Sequence, residues 1–332
     1  MKILITGSLG LIGSEAAWFY LNRGHEVIGI DNDMRKHFFG EEASVLKNMI
    51  SHENYLHFGI DFSKAEPILK EQKIDVVIHC AAQPSHDWAA TNPMLDFGIN
   101  AYGTLMLLEM VRQHAPEAIF IQVSTNKVYG DHPNHLSLQE MPRRYEALGL
   151  QGIDETMPVD QCLHSLFGVS KLAGDLLAQE YARYFGLRTG IFRCGCVTGA
   201  RHAGAELHGF LSYMVRCKKE KKVYKIYGYK GKQVRDNIHA FDLVTAFDAF
   251  IQDPKPGEVY NMGGSRHSNI SVLEALDKLQ IEVEYQHFDA PRKGDHIWYI
   301  SDVRKFKSHY PDWSYVYNME SILENLISTQ PL

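Results

Sequence analysis

The sequence lacks the features that mark membrane, secreted and disulfide-bonded proteins. Its 332 residues include five cysteines, an odd number, and most of them sit in apolar, strand-like stretches, which favours reduced cytoplasmic thiols. No apolar run approaches the roughly 20 residues that a membrane-spanning helix needs. The sequence begins directly on a strand pattern, without the charged and apolar segments of a signal peptide. We therefore expect a cytoplasmic protein that is not attached to a membrane.

Metal-ligand pairs and an excess of positive charge are also missing. The 17 histidines are scattered and form no His-x-x-x-His pair, and no Cys-x-x-Cys pair occurs, so we expect no metal site. The net charge of -6 offers no attraction to nucleic acid or to anionic membranes. The composition, 45% hydrophobic and 22% charged, is typical of globular proteins, and the length suits about two domains.

A strand that runs into a glycine series opens the chain. The apolar run 3–5 predicts a buried parallel strand, and Gly7, Gly10 and Gly13 follow it at the start of a helical pattern. Glycines in this context make a sharp turn, let backbone N–H groups approach a pyrophosphate, and allow close packing of the helix on the strand. The segment therefore predicts a dinucleotide-binding loop.

A second strand ends in a carboxylate. Residues 26–30 form an apolar run, and Asp31 directly follows it. An acid about twenty residues beyond the glycines accepts hydrogen bonds from the adenosine ribose and repels a 2′-phosphate, which favours NAD over NADP. Arg35 lies just past this strand, and because an arginine there can hold a 2′-phosphate, NADP stays open as the alternative.

Further strand and helix patterns alternate along the chain and predict an α/β fold. Strands are expected to begin near residues 57, 74, 119 and 187, and a strand near 259 is expected to return to the main sheet. Helices are expected to follow residue 39 as far as 50, and over 97–112 and 164–185. We predict a doubly wound parallel sheet with a smaller, interleaved substrate domain. The cofactor domain would comprise 1–193 and about 236–264, and the substrate domain 194–235 and 265–332.

Taken together, these segments resemble the extended short-chain dehydrogenase/reductase family of NAD-dependent nucleotide-sugar epimerases and dehydratases. The resemblance spans nearly the whole chain and is carried by Gly7, Gly10, Gly13, Asp31, Asp61, His79, Cys80, Ala81, Ala82, Asn100, Ser124, Thr125, Lys171, Arg193, Arg235 and Asp236. The segments 124–130, 152–155, 164–165 and 231–236 look most like the CDP-paratose (CDP-tyvelose) 2-epimerase branch. The resemblance implies a Rossmann sheet, NAD as cofactor, a nucleotide-diphosphate sugar as substrate with a CDP-hexose favoured, and a homodimer.

The resemblance also implies a chemistry. NAD takes a hydride from a sugar carbon, the keto sugar turns over in the site, and the hydride returns to its opposite face. Thr125 would bond the sugar oxygen, and Lys171 would hold the nicotinamide ribose. The cofactor residues would be Gly7, Gly10, Leu11, Ile12, Gly13, Asp31, Asn32, Asp61, Phe62, Ala81, Ala82, Gln83, Asn100, Ser124 and Lys171. The substrate residues would be His86, Thr125, Asn126, Arg193, Glu206, Arg235, Arg292 and Asp295.

One catalytic position departs from the family pattern. The family's Tyr-x-x-x-Lys base is here Phe167 to Lys171, and phenylalanine cannot accept a proton. Another group could act as the base, with His164, one helical turn earlier, as the first candidate. His86, Asp87 and Lys127 are further candidates. The loss of tyrosine could instead mean altered chemistry on a related nucleotide sugar, or a binding protein that keeps NAD without turnover.

Three other functions compete with epimerisation. The 4,6-dehydratases of the family carry Thr-Asp-Glu where this chain has Thr125, Asn126 and Lys127, so the acids that dehydration needs are absent. A simple NADP-dependent reductase is opposed by Asp31. A non-catalytic NAD-binding protein is supported by Phe167 alone. An epimerase, most closely a CDP-hexose 2-epimerase, is therefore the expected function.

Overall fold

A seven-stranded parallel sheet forms the centre of the protein in a computed structural model, which describes residues 1–202, 209–279, 285–291 and 294–329. The strands are β1 (Lys2–Thr6), β2 (Glu26–Ile30), β3 (Tyr55–Phe58), β4 (Val76–His79), β5 (Ile119–Thr125), β6 (Gln139–Glu140), β7 (Tyr145–Glu146), β8 (Arg188–Cys194), β9 (Cys196–Thr198), β10 (Tyr224–Tyr227), β11 (Val234–His239), β12 (Glu258–Met262), β13 (Asn269–Ser271), β14 (Tyr285–Phe288) and β15 (Trp298–Tyr299).

Helices connect these strands. The α-helices are α1 (Leu11–Leu21), α2 (Arg35–Phe39), α3 (Glu66–Glu71), α4 (His86–Thr91), α5 (Pro93–Phe97), α6 (Gly103–His114), α7 (Leu166–Phe185), α8 (Phe210–Glu220), α9 (Ala240–Gln252), α10 (Val272–Lys278), α11 (Arg304–His309) and α12 (Met319–Thr329). None of the helices in these described stretches has the length and apolar character needed to cross a bilayer.

The central sheet has the strand order β12-β8-β5-β4-β1-β2-β3, and every neighbouring pair is parallel. The order reverses between β1 and β4. Ligands of doubly wound sheets bind in the crevice at the carboxyl ends of strands at such a reversal. The predicted fold class is confirmed, and the topology places the functional crevice beside the end of β1.

Both faces of the sheet are covered, which explains why its strands are apolar at successive positions. Ile3 and Ile5 point to a core shared with α1 and α9, whereas Leu4 points to a core shared with α3, α6 and α7. Successive strand residues face opposite sides. A strand such as β1, buried on both sides, therefore needs an uninterrupted apolar run.

A second layer forms beyond the central sheet. Strand β11 pairs with β13, β15 and β9, β10 pairs with β14, and helices α8, α10 and α12 bury a separate apolar core. Strand β12 then returns to the central sheet beside β8, as expected. The predicted boundaries of the two domains stay a prediction.

Asp236 on β11 lies where the two layers meet. Its carboxylate accepts a hydrogen bond from the backbone N–H of Ser301 at 2.8 Å. Side chains at Gly195 and Gly263 would collide with it, since an added Cβ would lie 2.4 and 1.8 Å from its oxygens. Burial raises the pKa of this carboxyl to about 6.

Two helix predictions differ from the structure. The helix expected as far as residue 50 is replaced by α2 and two 3-10 turns, Glu41–Ala43 and Leu46–Asn48. The single helix expected over 97–112 is interrupted by a π-helical turn, Gly98–Tyr102, between α5 and α6. The apolar spacing predicted helix in both places but did not reveal the change of winding, which is frequent near functional sites.

Candidate active site

A cavity of about 470 Å³ lies at the carboxyl ends of the central strands and extends to the second layer. Most of the residues that the sequence predicted for the site line it. These are Gly7, Gly10, Leu11, Ile12, Gly13, Asp31, Asn32, Asp61, Phe62, Ala81, Ala82, His86, Ser124, Thr125, Asn126, Phe167, Lys171, Arg235 and Asp295. The cavity therefore joins the glycine loop, the end of β5, the start of α7 and the second layer in one space.

The glycine loop has no room for side chains. Gly7 has a φ of +67°, and an added Cβ would lie 2.8 Å from the backbone nitrogen of Ala81. At Gly13 an added Cβ would lie only 2.1 Å from the carbonyl oxygen of Gly7. The loop thus brings backbone, rather than side chains, to the cavity wall, which is what the approach of a pyrophosphate requires.

Asp31 organises the rim beside this loop. Its Oδ2 accepts a hydrogen bond from the Leu9 N–H at 3.0 Å and its Oδ1 accepts one from the Asp33 N–H at 2.8 Å. Burial raises the pKa of the Asp31 carboxyl from its ordinary value. Asn32 donates to Asp61 at 3.3 Å, which links the ends of β2 and β3. Arg35 also lines the cavity, and burial lowers the pKa of its guanidinium to about 10.

Lys171 and Phe167 present one charged and one apolar group from the first turns of α7. The Lys171 Nζ donates to the Val123 carbonyl at 2.8 Å, and burial lowers the pKa of this ammonium. Phe167 is 7% exposed, and its ring packs on the ring of His86 with centroids 4.8 Å apart. The side chain in the frame of the family's tyrosine is therefore buried against an imidazole.

The end of β5 turns sharply into the cavity. Thr125 caps the 3-10 turn Asn126–Tyr129, accepting a hydrogen bond from the Lys127 N–H at 3.3 Å. Its hydroxyl lies 3.4 Å from the Asn126 Oδ1, to which it donates. The Lys127 Nζ donates to the Gly294 carbonyl at 2.9 Å and lies 3.7 Å from a carboxylate oxygen of Asp295.

Arg235 reaches the cavity from β11 already paired with Asp295. One guanidinium nitrogen donates to the Asp295 carboxylate at 2.5 Å, and another donates to the Val234 carbonyl at 2.8 Å. Asp295 thus lies between two cations, Arg235 and Lys127. An anionic group that enters the cavity can take the place of this carboxylate on Arg235, since arginine offers several N–H donors in a planar fork.

Arg193 is not among the cavity-lining residues, and its contact with the substrate stays a prediction. Its guanidinium makes two hydrogen bonds to Asp175 of α7, at 2.9 and 3.0 Å, and one to the Tyr129 hydroxyl at 3.1 Å. Ser124 donates to the same carboxylate at 2.6 Å. Arg193 points to α7 because side chains alternate along β8, and its neighbour Cys194 faces the cavity instead.

His164, the first candidate for the base, is likewise not among the cavity-lining residues. Helix α7 starts at Leu166 and Ser165 is its N-cap, so His164 precedes the helix and shares no helical face with Phe167. Its Nε2 lies 2.8 Å from the Val128 carbonyl, and its Nδ1 lies 3.5 Å from the Cys162 sulfur. Both ring nitrogens of His164 therefore already lie against protein atoms, and its role as the base stays a prediction.

Gln83 and Asn100, which were predicted to bind the cofactor, form hydrogen bonds that hold the loop after β4. The Asn100 amide donates to the Gln83 carbonyl at 2.9 Å and to the Ser170 hydroxyl at 3.1 Å. The Gln83 amide donates to Asp96 at 2.7 Å. Both side chains are buried and neither lines the cavity, so what the structure shows is that they hold the loop in place, and their contact with the cofactor stays a prediction. Two further predicted residues, Glu206 and Arg292, lie outside the described residues.

Several cavity residues had no predicted role. They include Cys80, Cys194, Cys196 and His202 on the central side, and Tyr224, Lys225, Ile226, Tyr227 and Gln233 on the side of the second layer. The Tyr227 ring stacks on Phe288 at 5.2 Å. Strand β10 buries Tyr224 and Ile226 and exposes Lys225 between them. Only the pairing of β10 with the distant β14 shows which end of the cavity this strand lines.

The fold and the cavity define a dinucleotide-binding protein of the doubly wound class. The model of the NAD dependent epimerase/dehydratase family matches residues 3–263, and the chain belongs to this family. It is similar to a CDP-paratose 2-epimerase from Salmonella typhi, with 32% identity over 95% of this chain and 94% of that protein. It is also similar to a dTDP-glucose 4,6-dehydratase from Escherichia coli, with 29% identity over 85% of this chain and 78% of that protein.

Solved structures share the fold. A UDP-glucose 4-epimerase from Thermus thermophilus, in complex with NAD, superimposes with a TM-score of 0.80 at 23% identity and covers 99% of this chain and 98% of that one. A UDP-glucuronic acid 4-epimerase from Bacillus cereus, in complex with UDP-glucuronic acid and NAD, gives a TM-score of 0.78 at 24% identity and the same coverage. The predicted family and fold are therefore confirmed.

NAD is the cofactor of this family, as the sequence predicted, and the residues present fit it. The glycine loop leaves space for a pyrophosphate that any added Cβ would fill. Asp31 lies beside this loop, and its carboxylate would repel the 2′-phosphate of NADP. Lys171 places a buried ammonium beside the end of β5, where it donates to the Val123 carbonyl.

Proposed function

We propose that the protein is an NAD-dependent nucleotide-sugar epimerase, and that its substrate is a CDP-hexose inverted at carbon 2. One observation carries the proposal: a single cavity contains the glycine cradle, Thr125, Lys171 and the paired Arg235, which are the groups that cofactor, sugar and diphosphate need. The similarity to the CDP-paratose 2-epimerase over nearly both full lengths supports the choice of CDP and carbon 2.

In this proposal one set of cavity residues binds the cofactor and another acts on the sugar. NAD, when bound, supplies the hydride acceptor and donor. The glycine loop holds the pyrophosphate, Asp31 holds the adenosine ribose, and Lys171 holds the second ribose. The Thr125 hydroxyl donates to the reacting sugar oxygen and stabilises the charge that develops there.

The substrate would be held from the second layer, in agreement with the predicted division of the chain. Arg235 exchanges Asp295 for the diphosphate, since both are anions and the guanidinium already faces the cavity. Asn126 and His86 lie at the sugar end, beside Thr125 and Phe167. Tyr224 to Tyr227 line the far wall, where the nucleoside would extend.

Dehydration is a weaker second candidate although dehydratases are among the relatives. A 4,6-dehydratase must remove a proton beside the keto group and protonate a leaving hydroxyl. The chain has Asn126 and Lys127 at the two acid positions, and Lys127 is held between Gly294 and Asp295. An amide and a paired ammonium do not provide that acid pair.

A third candidate, which is not an enzyme, is a protein that binds NAD without turnover. Buried Phe167 is the observation that favours it. A protein that only senses NAD has no need of a cation for a sugar diphosphate. Arg235 in the cavity therefore supports an enzyme.

The test is turnover of a panel of CDP-, UDP-, GDP- and dTDP-hexoses in deuterated buffer, followed by NMR of the sugar protons. We expect conversion of a CDP-hexose to its carbon 2 epimer without deuterium at that carbon, and NAD among the nucleotides released on denaturation. Arg235→Ala should abolish turnover while NAD stays bound, and Arg188→Ala, at the first residue of β8 and outside the cavity, should leave turnover unchanged. A protein that holds NAD but converts no sugar would overturn the epimerase proposal.

We also propose a homodimer formed through α5, the π-helical turn and α7. Apolar side chains are exposed on these elements, including Met94 at 87%, Leu95 at 41% and Tyr184 at 78%. A patch of this kind on a folded protein marks a contact surface. Sedimentation of wild type and of the Leu95→Glu and Leu176→Glu variants tests it, and a monomeric wild type would contradict it.

A further inference from the structure

Phe167 occupies the position of the missing tyrosine, and its ring packs on the imidazole of His86, which can carry a proton. Phe167 and His86 both line the cavity, and their ring centroids are 4.8 Å apart at an interplanar angle of 56°. His86 starts α4, directly after Ser85, whose hydroxyl caps this helix. The imidazole is therefore anchored by a helix start and by an apolar ring that has no chemistry of its own.

Of the titratable side chains near this end of the cavity, His86 is the best suited to accept a proton. Lys127 is an ammonium held by the Gly294 carbonyl and near the Asp295 carboxylate, so it has no lone pair to accept a proton. Asp295 is paired with Arg235. Cys80 and Cys194 line the same space, but burial raises the pKa of both thiols, that of Cys194 to about 12, which keeps them protonated.

His86 also lies close to the residues that close this end of the cavity. A Cβ added to Gly294 would lie 3.3 Å from the His86 Nδ1, so the backbone at residue 294 passes beside the imidazole. The same residue accepts the hydrogen bond from Lys127. The imidazole and the ammonium therefore both lie beside residue 294, in the cavity that Thr125 also lines.

We propose that His86 performs the proton transfers that the family assigns to the tyrosine at position 167. The inference rests on the proposed epimerase function. A ring nitrogen of His86 accepts the proton of the sugar hydroxyl while the hydrogen on the same carbon leaves with its electron pair as hydride to NAD, and the C–O bond becomes a carbonyl. On return of the hydride, the imidazolium gives the proton back to the oxygen, so protons and electrons balance over the cycle.

The experiment compares wild type, His86→Ala, His86→Gln and the double variant His86→Ala/Phe167→Tyr. Turnover of the CDP-hexose should fall about 100- to 10,000-fold in both single variants. NAD content and the calorimetric dissociation constant of the nucleotide sugar should change by no more than about threefold, since the glycine loop and Arg235, which hold the cofactor and the diphosphate in the proposal, are unchanged. Added imidazole should restore turnover to His86→Ala but not to His86→Gln, whose side chain fills the space. The tyrosine of the double variant should restore turnover without imidazole.

The matched control is His164→Gln, a histidine outside the cavity, which should keep wild-type turnover. Wild-type turnover in His86→Ala, or loss in His164→Gln with retention in His86→Gln, would overturn the inference and leave the epimerase proposal intact. Loss of turnover in His86→Ala without rescue by either imidazole or the tyrosine would assign His86 a positioning role and overturn the inference too. A wild type that converts no sugar would overturn both proposals.

Discussion

The two ends of the cavity are built in different ways. At the cofactor end, backbone clearance decides the geometry, because Gly7 and Gly13 leave no space for a side chain. At the sugar end, side chains from distant parts of the chain meet: Thr125 from β5, Phe167 from α7, and Asp295 from the C-terminal part. The comparison shows that the cofactor end, where only glycine fits, tolerates few substitutions. The sugar end, which is formed by side chains, can exchange one reactive group for another.

Gly13→Ala should have the largest effect on NAD binding, since it adds a methyl group 2.1 Å from the Gly7 carbonyl oxygen. The loop and helix must move apart, so we expect purified protein without bound NAD and a free energy of unfolding lower by about 1–3 kcal/mol. Mass analysis of released nucleotide and thermal unfolding measure the two effects. Gly98→Ala is the control, because an added Cβ there meets nothing within 4 Å. Normal NAD content in Gly13→Ala would show that side chains also shape the cofactor end.

Arg193→Met tests whether this arginine belongs to the sugar end or to the core. The variant leaves the Asp175 carboxylate, which is fully buried, without its cation. We expect a loss of about 3–5 kcal/mol in the free energy of unfolding, measured by urea denaturation. Arg188→Met on the same strand removes a solvent-exposed pair and should cost less than about 1 kcal/mol. Unchanged stability together with weaker nucleotide-sugar binding in Arg193→Met would restore the predicted substrate contact.

Asp236→Asn should change how stability depends on pH. The folded-state pKa of about 6 lies above that of an unfolded aspartate, so the native protein binds more protons than the unfolded chain between about pH 4 and 6. The contribution of Asp236 is thus fully present below about pH 4 and is lost as the pH rises through 6. The stability advantage of wild type over the variant should shrink by about 3 kcal/mol across this window. Urea denaturation at several pH values measures it, and a constant difference would contradict the expectation.

Asp31→Asn should have the smallest effect and acts at the cofactor end. One carboxylate oxygen that accepts from Leu9 or Asp33 is replaced by an NH₂ group that cannot accept. We expect about tenfold weaker NAD binding and less discrimination against NADP, equivalent to the loss of one or two hydrogen bonds. Competition between NAD and NADP for the nucleotide-free protein measures this. Asp33→Asn, at a residue that does not line the cavity and that accepts hydrogen bonds from Ser44 and Val45, should keep the preference for NAD.

Much of the fold and of the cofactor end was predictable from the sequence, because both depend on local patterns. Apolar runs predicted the seven strands of the central sheet, and the glycine spacing with Asp31 predicted the loop beside β1. These features need only neighbours along the chain. The family and NAD followed from the same residues and are confirmed by the match over residues 3–263.

The sugar end was less predictable because its contacts are tertiary. Arg193 was placed at the end of a strand correctly, but its partner Asp175 lies on a helix, and which face of β8 it takes was not encoded locally. His164 was assigned by helical spacing, yet the helix starts two residues later. His86 and Phe167 are 81 positions apart in the sequence, and only the packing of α4 on α7 brings the rings together.

The position of β12 at one end of the central sheet has a consequence for biosynthesis. Strand β8 ends at residue 194, but its outer neighbour β12 cannot pair with it until residues 258–262 have left the ribosome. During that interval β8 presents a row of unpaired backbone groups, which is a template for pairing with other chains. We expect nascent chains stalled before residue 258 to be cut by protease within this sheet, and chains released beyond residue 262 to resist. Equal cleavage of the two would show that the edge is protected by other means.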